Sequence, residues 1–423
     1  MKKSISLLAG LLILSACTNE AAYAKSQLNQ PKKAFNTHGE AKMNETYVQS
    51  MKDFALDFYN VLDVKTNQVF SPLSIATCFS MLYDGTDGTT REEIRNMLHY
   101  GEDEKHLNEI KNMLLKTAID DKSQKTFLNI SQSIWFAGDG SKYKQSYVDK
   151  ITDYYYAEAF QNIDFNSQEG KEQMADWVND KTKNFLNAKS DDFKTTPNTL
   201  MYLMNTIYLK SPWSIENLFK KSNNAEGDFR CIDGSDSRIT FMYGKDNGAY
   251  YLKKDAYRIA SLPYKHNIKI NILLPNEDAD YSAVLSNKDA LKDMINFKQE
   301  KTEDTKYSAI AWKLPKFKIT SSYGLETELT KLGLHDTFDR TGKVDLSRMT
   351  DDKDIYIEST YHKAGIELNN DGVEAAAFTY VSNGTKTASE PSYIEFHVDH
   401  PFAYYLTTDE GLPLFMGVIN QLS

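Results

Sequence analysis

Tyr47, Met51, Phe54, Phe58 and Val61 recur three or four residues apart, the spacing of one apolar face on an amphipathic helix. Thr90 and Glu93 then read as a capping box ahead of Ile94, Met97 and Leu98, which predicts that a second helix starts there. A third is predicted at "YGLETELTKLGL", where Leu325, Leu329 and Leu332 share a face and Gly333 suits the C-terminal turn. In the second half the period shortens to two. "IKINILLP" alternates Ile268, Ile270 and Ile272 with Lys269 and Asn271 and stops at Pro275. "YIEFHV", "PFAYYL" and "LFMGVI" are short aromatic or β-branched runs separated by turn residues. Helices therefore concentrate early and strands late, with no regular βαβ alternation. That pattern predicts an α+β fold with antiparallel or mixed sheets. No repeat or linker divides residues 44–423, so one large domain is expected.

The first residues follow a different logic. Lys2 and Lys3 form a positive end, Ile5 to Leu14 is mostly apolar, and small residues lead to Cys17. This pattern resembles a bacterial lipobox, with residues 1–16 as signal peptide and Cys17 as the lipidated mature N-terminus; the alternative is a plain secretory signal with an incidental cysteine. Residues 17–43 are polar and without period, as a membrane tether would be. The expected location is therefore that of an exported bacterial lipoprotein, held at the outer membrane or cell surface through Cys17. No apolar run of roughly 18 residues follows, so no transmembrane helix is predicted in the body.

Of the 423 residues 41% are hydrophobic and 26% charged, an ordinary globular balance, and the formal charge of −10 argues against a nucleic-acid partner. Enzyme signatures are missing: no G-x-S-x-G elbow, no phosphate-binding loop and no H-E-x-x-H helix. His397 and His400 stand three apart, but on a strand leading to Pro401 they would not share a ligand face. No cofactor or metal is expected. Cys78, in "SIATCFSML", reads as a buried small hydrophobe, and its pairing with Cys231 is left open.

Six segments, in order, resemble those of the serpin family of protease inhibitors. They are "FSPLSIATCFSMLYDGT", "NTIYLKSPW", "LPKFKI", "YHKAGIELNNDGVEAAAFT", "FHVDHPFAYYL" and "PLFMG". The resemblance implies a single domain of about nine helices and three sheets, with an exposed reactive-centre loop near residues 370–392. It implies an inhibitor rather than an enzyme, monomeric, whose cut loop inserts into the central sheet and traps the attacking serine protease, with cysteine proteases as further possible partners. A non-inhibitory serpin serving as a surface binding protein is the alternative. The same resemblance assigns Ser71, Ser74, Asn205 and His362 to a polar cluster beneath the central sheet, the shutter, and Trp213 to the top of that sheet, the breach.

The loop can be read from its own residues. Along "GVEAAAFTYVS" Val373, Ala375, Ala377, Thr379 and Val381 alternate with Glu374, Ala376, Phe378, Tyr380 and Ser382, giving one small face and one large or charged face. Gly372 supplies a hinge, and no proline interrupts the stretch before Glu390. The rival reading is a helix start at "VEAAAF". Val373 and Asn370 depart from the hydroxyl residue and the glutamate that inhibitory relatives carry, and the second change removes a hinge salt bridge. Counting forward from Gly372 by the family's spacing puts the scissile bond at Lys386–Thr387, whereas counting back from Pro401 gives Glu390. The forward count is taken, because inserted length fixes how far the protease is carried. A lysine there suits the acidic specificity pocket of trypsin-like proteases; the alternative is a solvated Lys386 with the cut at Tyr380 or Val381.

Overall fold

The computed structural model describes residues 27–29, 43–101, 106–196, 199–357, 360–373 and 392–423. The expectations for Cys17, Glu374, Ala375, Ala376, Ala377, Lys386 and Thr387 concern positions outside these residues.

The first predicted helix spans Glu45–Val61, and Asn44 caps it by accepting the Thr46 amide at 2.9 Å. Met51, Phe54 and Phe58 lie fully buried on the predicted face. The second helix, Gly88–Met97, starts two residues before the proposed capping box and is capped by Asp87. Thr90 and Glu93 make tertiary contacts instead. The Thr90 hydroxyl accepts the Asp345 amide at 2.9 Å, and the Glu93 carboxylate accepts the amides of Asp336 and Thr337 at 2.8 and 2.9 Å. A motif that reads as local is thus used to fasten a distant segment. The third helix, Glu326–Lys331, keeps Leu329 fully buried and ends at Gly333, whose φ of +101° lets its amide reach Thr330.

Nine α-helices surround two hydrogen-bonded sheets among the described residues. The nine-stranded sheet holds the late strands of the sequence, including Tyr393–His397, Phe402–Thr407 and Pro413–Ile419. Its 18-residue strand Asp236–Lys253 pairs with Ala225–Arg230 at one end and with Tyr257–Pro263 at the other. That long strand joins into one ladder what the three-sheet expectation counts as two. The strand Lys269–Pro275 is covered on both faces, so Asn271 does not point to water as its alternation suggested. It is fully buried, and its Nδ2 donates to the carbonyls of Met294 and Phe297 at 2.8 and 3.3 Å, fastening the helix Lys288–Asn296 over the sheet.

The eight-stranded sheet is the central one. In it Thr126–Phe136 lies beside Met201–Pro212, then come Gly372–Val373, Tyr361–Asn369 and Phe317–Gly324. Gly372–Val373 runs antiparallel to both its neighbours, so Met201–Pro212 and Tyr361–Asn369 run parallel to each other. Among the described residues these two strands are bridged only through that two-residue strand. Below it, near Asn205 and His362, lies a cavity of about 40 Å³.

Candidate functional site

The site begins where Tyr361–Asn369 turns back on itself. Asn369 pairs with Gly372 across a two-residue turn of Asn370 and Asp371, and the Asn369 side chain accepts the Asp371 amide at 3.0 Å. Gly372 then faces Pro212, and Val373 is held between Ser211 and Leu368 with 3% of its surface exposed. Gly372 has φ +133°, and a Cβ there would stand 2.3 Å from the Ser211 carbonyl oxygen. No other residue fits that turn without moving the neighbouring strand. Trp213 holds the turn from the side. Its amide donates to the Asp371 carbonyl at 3.2 Å, its Nε1 donates to the Asn369 carbonyl at 3.1 Å, and its ring stacks on Tyr264 with centroids 4.4 Å apart.

Deeper in the sheet the structure brings Ser71, Ser74, Asn205 and His362 together. Ser71 caps the helix Pro72–Gly85, its hydroxyl accepting the Ser74 amide at 3.1 Å, while its own amide donates to His362 Nε2 at 3.1 Å. The Ser74 hydroxyl donates to Asn205 Oδ1. Asn205 Nδ2 is sealed from solvent without a partner, and so are both amide atoms of Gln132, which stands directly opposite Asn205 on the neighbouring strand. The row is therefore half satisfied, which in a buried network is costly. The cavity beside it is lined by Leu203, Asn205, Thr360, His362 and the half-buried Cys78. Burial pushes the Cys78 thiol up to about 12, so it stays protonated and is a poor nucleophile. Cys78 and Cys231 are both free thiols.

Burial pushes the His362 imidazole down to about 3, from an ordinary 6.5. Between these values the unfolded chain takes up a proton that the folded chain refuses, so this contribution to stability is complete above pH 6.5 and is lost as pH falls toward 3. His362→Gln is expected to recover on the order of a few kcal/mol of acid-dependent stability relative to the parent. Urea-unfolding midpoints across that range measure it, and parallel curves for the two proteins would clear His362 of the role. His397 and His400 have separate partners. His400 Nε2 bonds the Pro275 carbonyl at 2.8 Å, whereas His397 stands 3.9 Å from Glu395. Among the described residues no group of three His, Cys, Asp or Glu side chains could hold a metal ion.

A two-residue strand already paired between two parallel strands is a distinctive arrangement, and comparison with known proteins decides the family. The family model described as Serpin (serine protease inhibitor) matches residues 49–422. The chain is a serpin. Serpin-Z2B of Triticum aestivum is 31% identical over 373 residues, covering 84% of this chain and 90% of the relative. Leukocyte elastase inhibitor of Equus caballus is 26% identical over 375 residues, covering 86% and 96%. Among solved structures, native tengpin, a thermophilic serpin, superposes with a TM-score of 0.77 at 23% identity, covering 91% of this chain and 96% of that one. Thyroxine-binding globulin in complex with thyroxine has the same fold, with a TM-score of 0.73 at 21% identity over 89% of this chain and 98% of that one. The serpin fold thus hosts inhibitors and a small-molecule carrier alike.

Two of this serpin's site residues carried no signal in the sequence. Gln132 enters the polar row only through its register with Asn205, and Asn224 reaches Asn370 from 146 positions away. Neither sits in a local motif, so only the tertiary fold reveals them.

Proposed function

We propose that this serpin is a suicide-substrate inhibitor of serine proteases, with trypsin-like enzymes cutting at Lys386–Thr387. The observation that carries the reading is the Gly372–Val373 strand, paired on both sides within the central sheet. Insertion of a cut serpin loop is an established case of strand addition, and here its first pairs are already formed. An inserting strand lies antiparallel to both neighbours, so one parallel approach becomes two antiparallel ladders, the slightly more stable pairing. The name of the equine relative, an elastase inhibitor, supports the inhibitory reading over a carrier role.

The chemistry belongs to the protease. Its serine attacks the Lys386 carbonyl, Thr387 leaves as the new amine, and the loop is held as an acyl-enzyme. The serpin contributes the strand that removes this ester from its catalytic machinery before water arrives. Incubation with trypsin is expected to give an SDS-stable band near the summed masses, with mass spectrometry placing the new N-terminus at Thr387. Cleaved serpin without a covalent band would overturn the reading in favour of a non-inhibitory binding protein. Anchorage through a lipidated Cys17 belongs to the same proposal, and failure of Cys17 to incorporate labelled fatty acid would remove it.

A further inference from the structure

We infer that Asn224 is a positioning residue which clamps the loop hinge into the central sheet through Asn370. This rests on the inhibitory reading only for its consequence, not for its geometry. Asn370 occupies the turn before Gly372 and is 7% exposed. Its Oδ1 accepts from Asn224 Nδ2 at 3.0 Å, and its Nδ2 donates to Asn224 Oδ1 at 2.7 Å and to the Phe219 carbonyl at 3.1 Å. The two amides thus face each other in a reciprocal pair, using both Asn370 donors and one of its acceptor sites. Phe219 is itself packed on Trp213, with ring centroids 5.3 Å apart, so the clamp and the tryptophan grip the same turn.

The clamp spans two sheets. Asn224 follows the short 3-10 turn Lys221–Asn223 and leads directly into the strand Ala225–Arg230 of the nine-stranded sheet. The loop hinge is therefore tied to an element outside the sheet it enters. An ion pair competes for credit, since Lys221 Nζ stands 3.8 Å from Asp371. Lys221 is 62% exposed and the distance is long, so solvent and side-chain entropy leave that pair little effect. Removing the half-buried Asn224 instead leaves the buried Asn370 amide with an unmet donor and acceptor. The pair is neutral, so its hold on the turn is indifferent to salt.

With the clamp broken, the turn gains by swinging Asn370 out to water, and this withdraws Gly372 and Val373 from their two neighbours. Hydrogen exchange on the full protein reads this without any protease. In Asn224→Ala the peptide spanning residues 369–373 is expected to exchange about tenfold faster, while one spanning 393–397 is unchanged. Lys221→Ala should match the parent. Asn224→Asp keeps the acceptor but loses the donor, so it should fall between, and it also serves if the alanine variant folds poorly. Asn224→Ala combined with Asn370→Ala should be no worse than Asn224→Ala alone, because no orphaned amide remains. Unchanged exchange in the Asn224 variants, an equal effect from Lys221→Ala, or additive effects of the two asparagines would overturn the clamp. For the inhibitor, Asn224→Ala should raise the number of serpin molecules consumed per protease trapped. If the parent traps no protease, the inhibitory reading falls while the exchange result still decides the clamp.

Discussion

On the proposed inhibitory mechanism, replacing Val373 with arginine is expected to leave loop cleavage intact and to abolish the covalent band. Val373 lies 3% exposed between Ser211 and Leu368, beneath the sheet and packed in its main hydrophobic core. No carboxylate is among the neighbours that pair with it, so a guanidinium there would be a buried, unpaired charge costing several kcal/mol. The hinge would be expelled, and insertion would have to drag the charge back through the same gap while the acyl-enzyme hydrolyses. Since each 1.4 kcal/mol is a factor of ten, the stoichiometry of inhibition should rise at least about tenfold. Glu374→Arg is the control, because alternation puts that side chain on the opposite face of an inserted strand. Titration of trypsin activity against added serpin measures both. Retained one-to-one trapping by Val373→Arg would sink the insertion mechanism.

The helix Glu45–Val61 was legible because its apolar stripe, which covers four turns, is a local property. What misled was local pattern put to distant use. Thr90 and Glu93 have capping-box spacing, but their oxygens bind backbone more than 240 positions away. Asn271 sits at a polar position of an alternating strand, but the helix Lys288–Asn296 covers that face and supplies carbonyls for its amide. Ser71, Ser74, Asn205 and His362, which the structure brings together, were grouped by resemblance alone, and no rule of composition or spacing joins Ser71 to His362 across the chain. Asn370 is the instructive case. Its departure from the glutamate of inhibitory relatives was visible in the sequence. The amide pair it makes with Asn224 depends on where the turn Lys221–Asn223 comes to rest, which no sequence window contains.

Cutting the loop is expected to raise the melting temperature of this serpin by at least about 10 °C, several kcal/mol at roughly 2–4 °C per kcal/mol. The register already formed says where that stability comes from. Val373 faces Ser211 and Leu368, and Gly372 faces Pro212 and Asn369. Carried down without a bulge, the same register sets Ala375 against Leu209 and Ile366, Ala377 against Ile207 and Ala364, and Thr379 against Asn205 and His362. Small side chains would thus pass beneath the upper sheet, where the flanking strands are most buried, and a hydroxyl would arrive at the half-satisfied polar row. Thr379 Oγ1 could accept from the partnerless Asn205 Nδ2, and Val381 would follow into the cavity between Leu203 and Thr360. Satisfying one buried donor and filling that space are gains available only to the inserted form. Thr379→Val keeps shape and burial but removes the acceptor, so it should cut the rise on cleavage by a few degrees, at about 1–3 kcal/mol for the orphaned amide. Differential scanning fluorimetry of cut and uncut protein gives both numbers. A melting temperature indifferent to cleavage would show that the native fold stores no strain for the loop to release. A full rise in Thr379→Val would show instead that the loop inserts in a different register from the one its hinge begins.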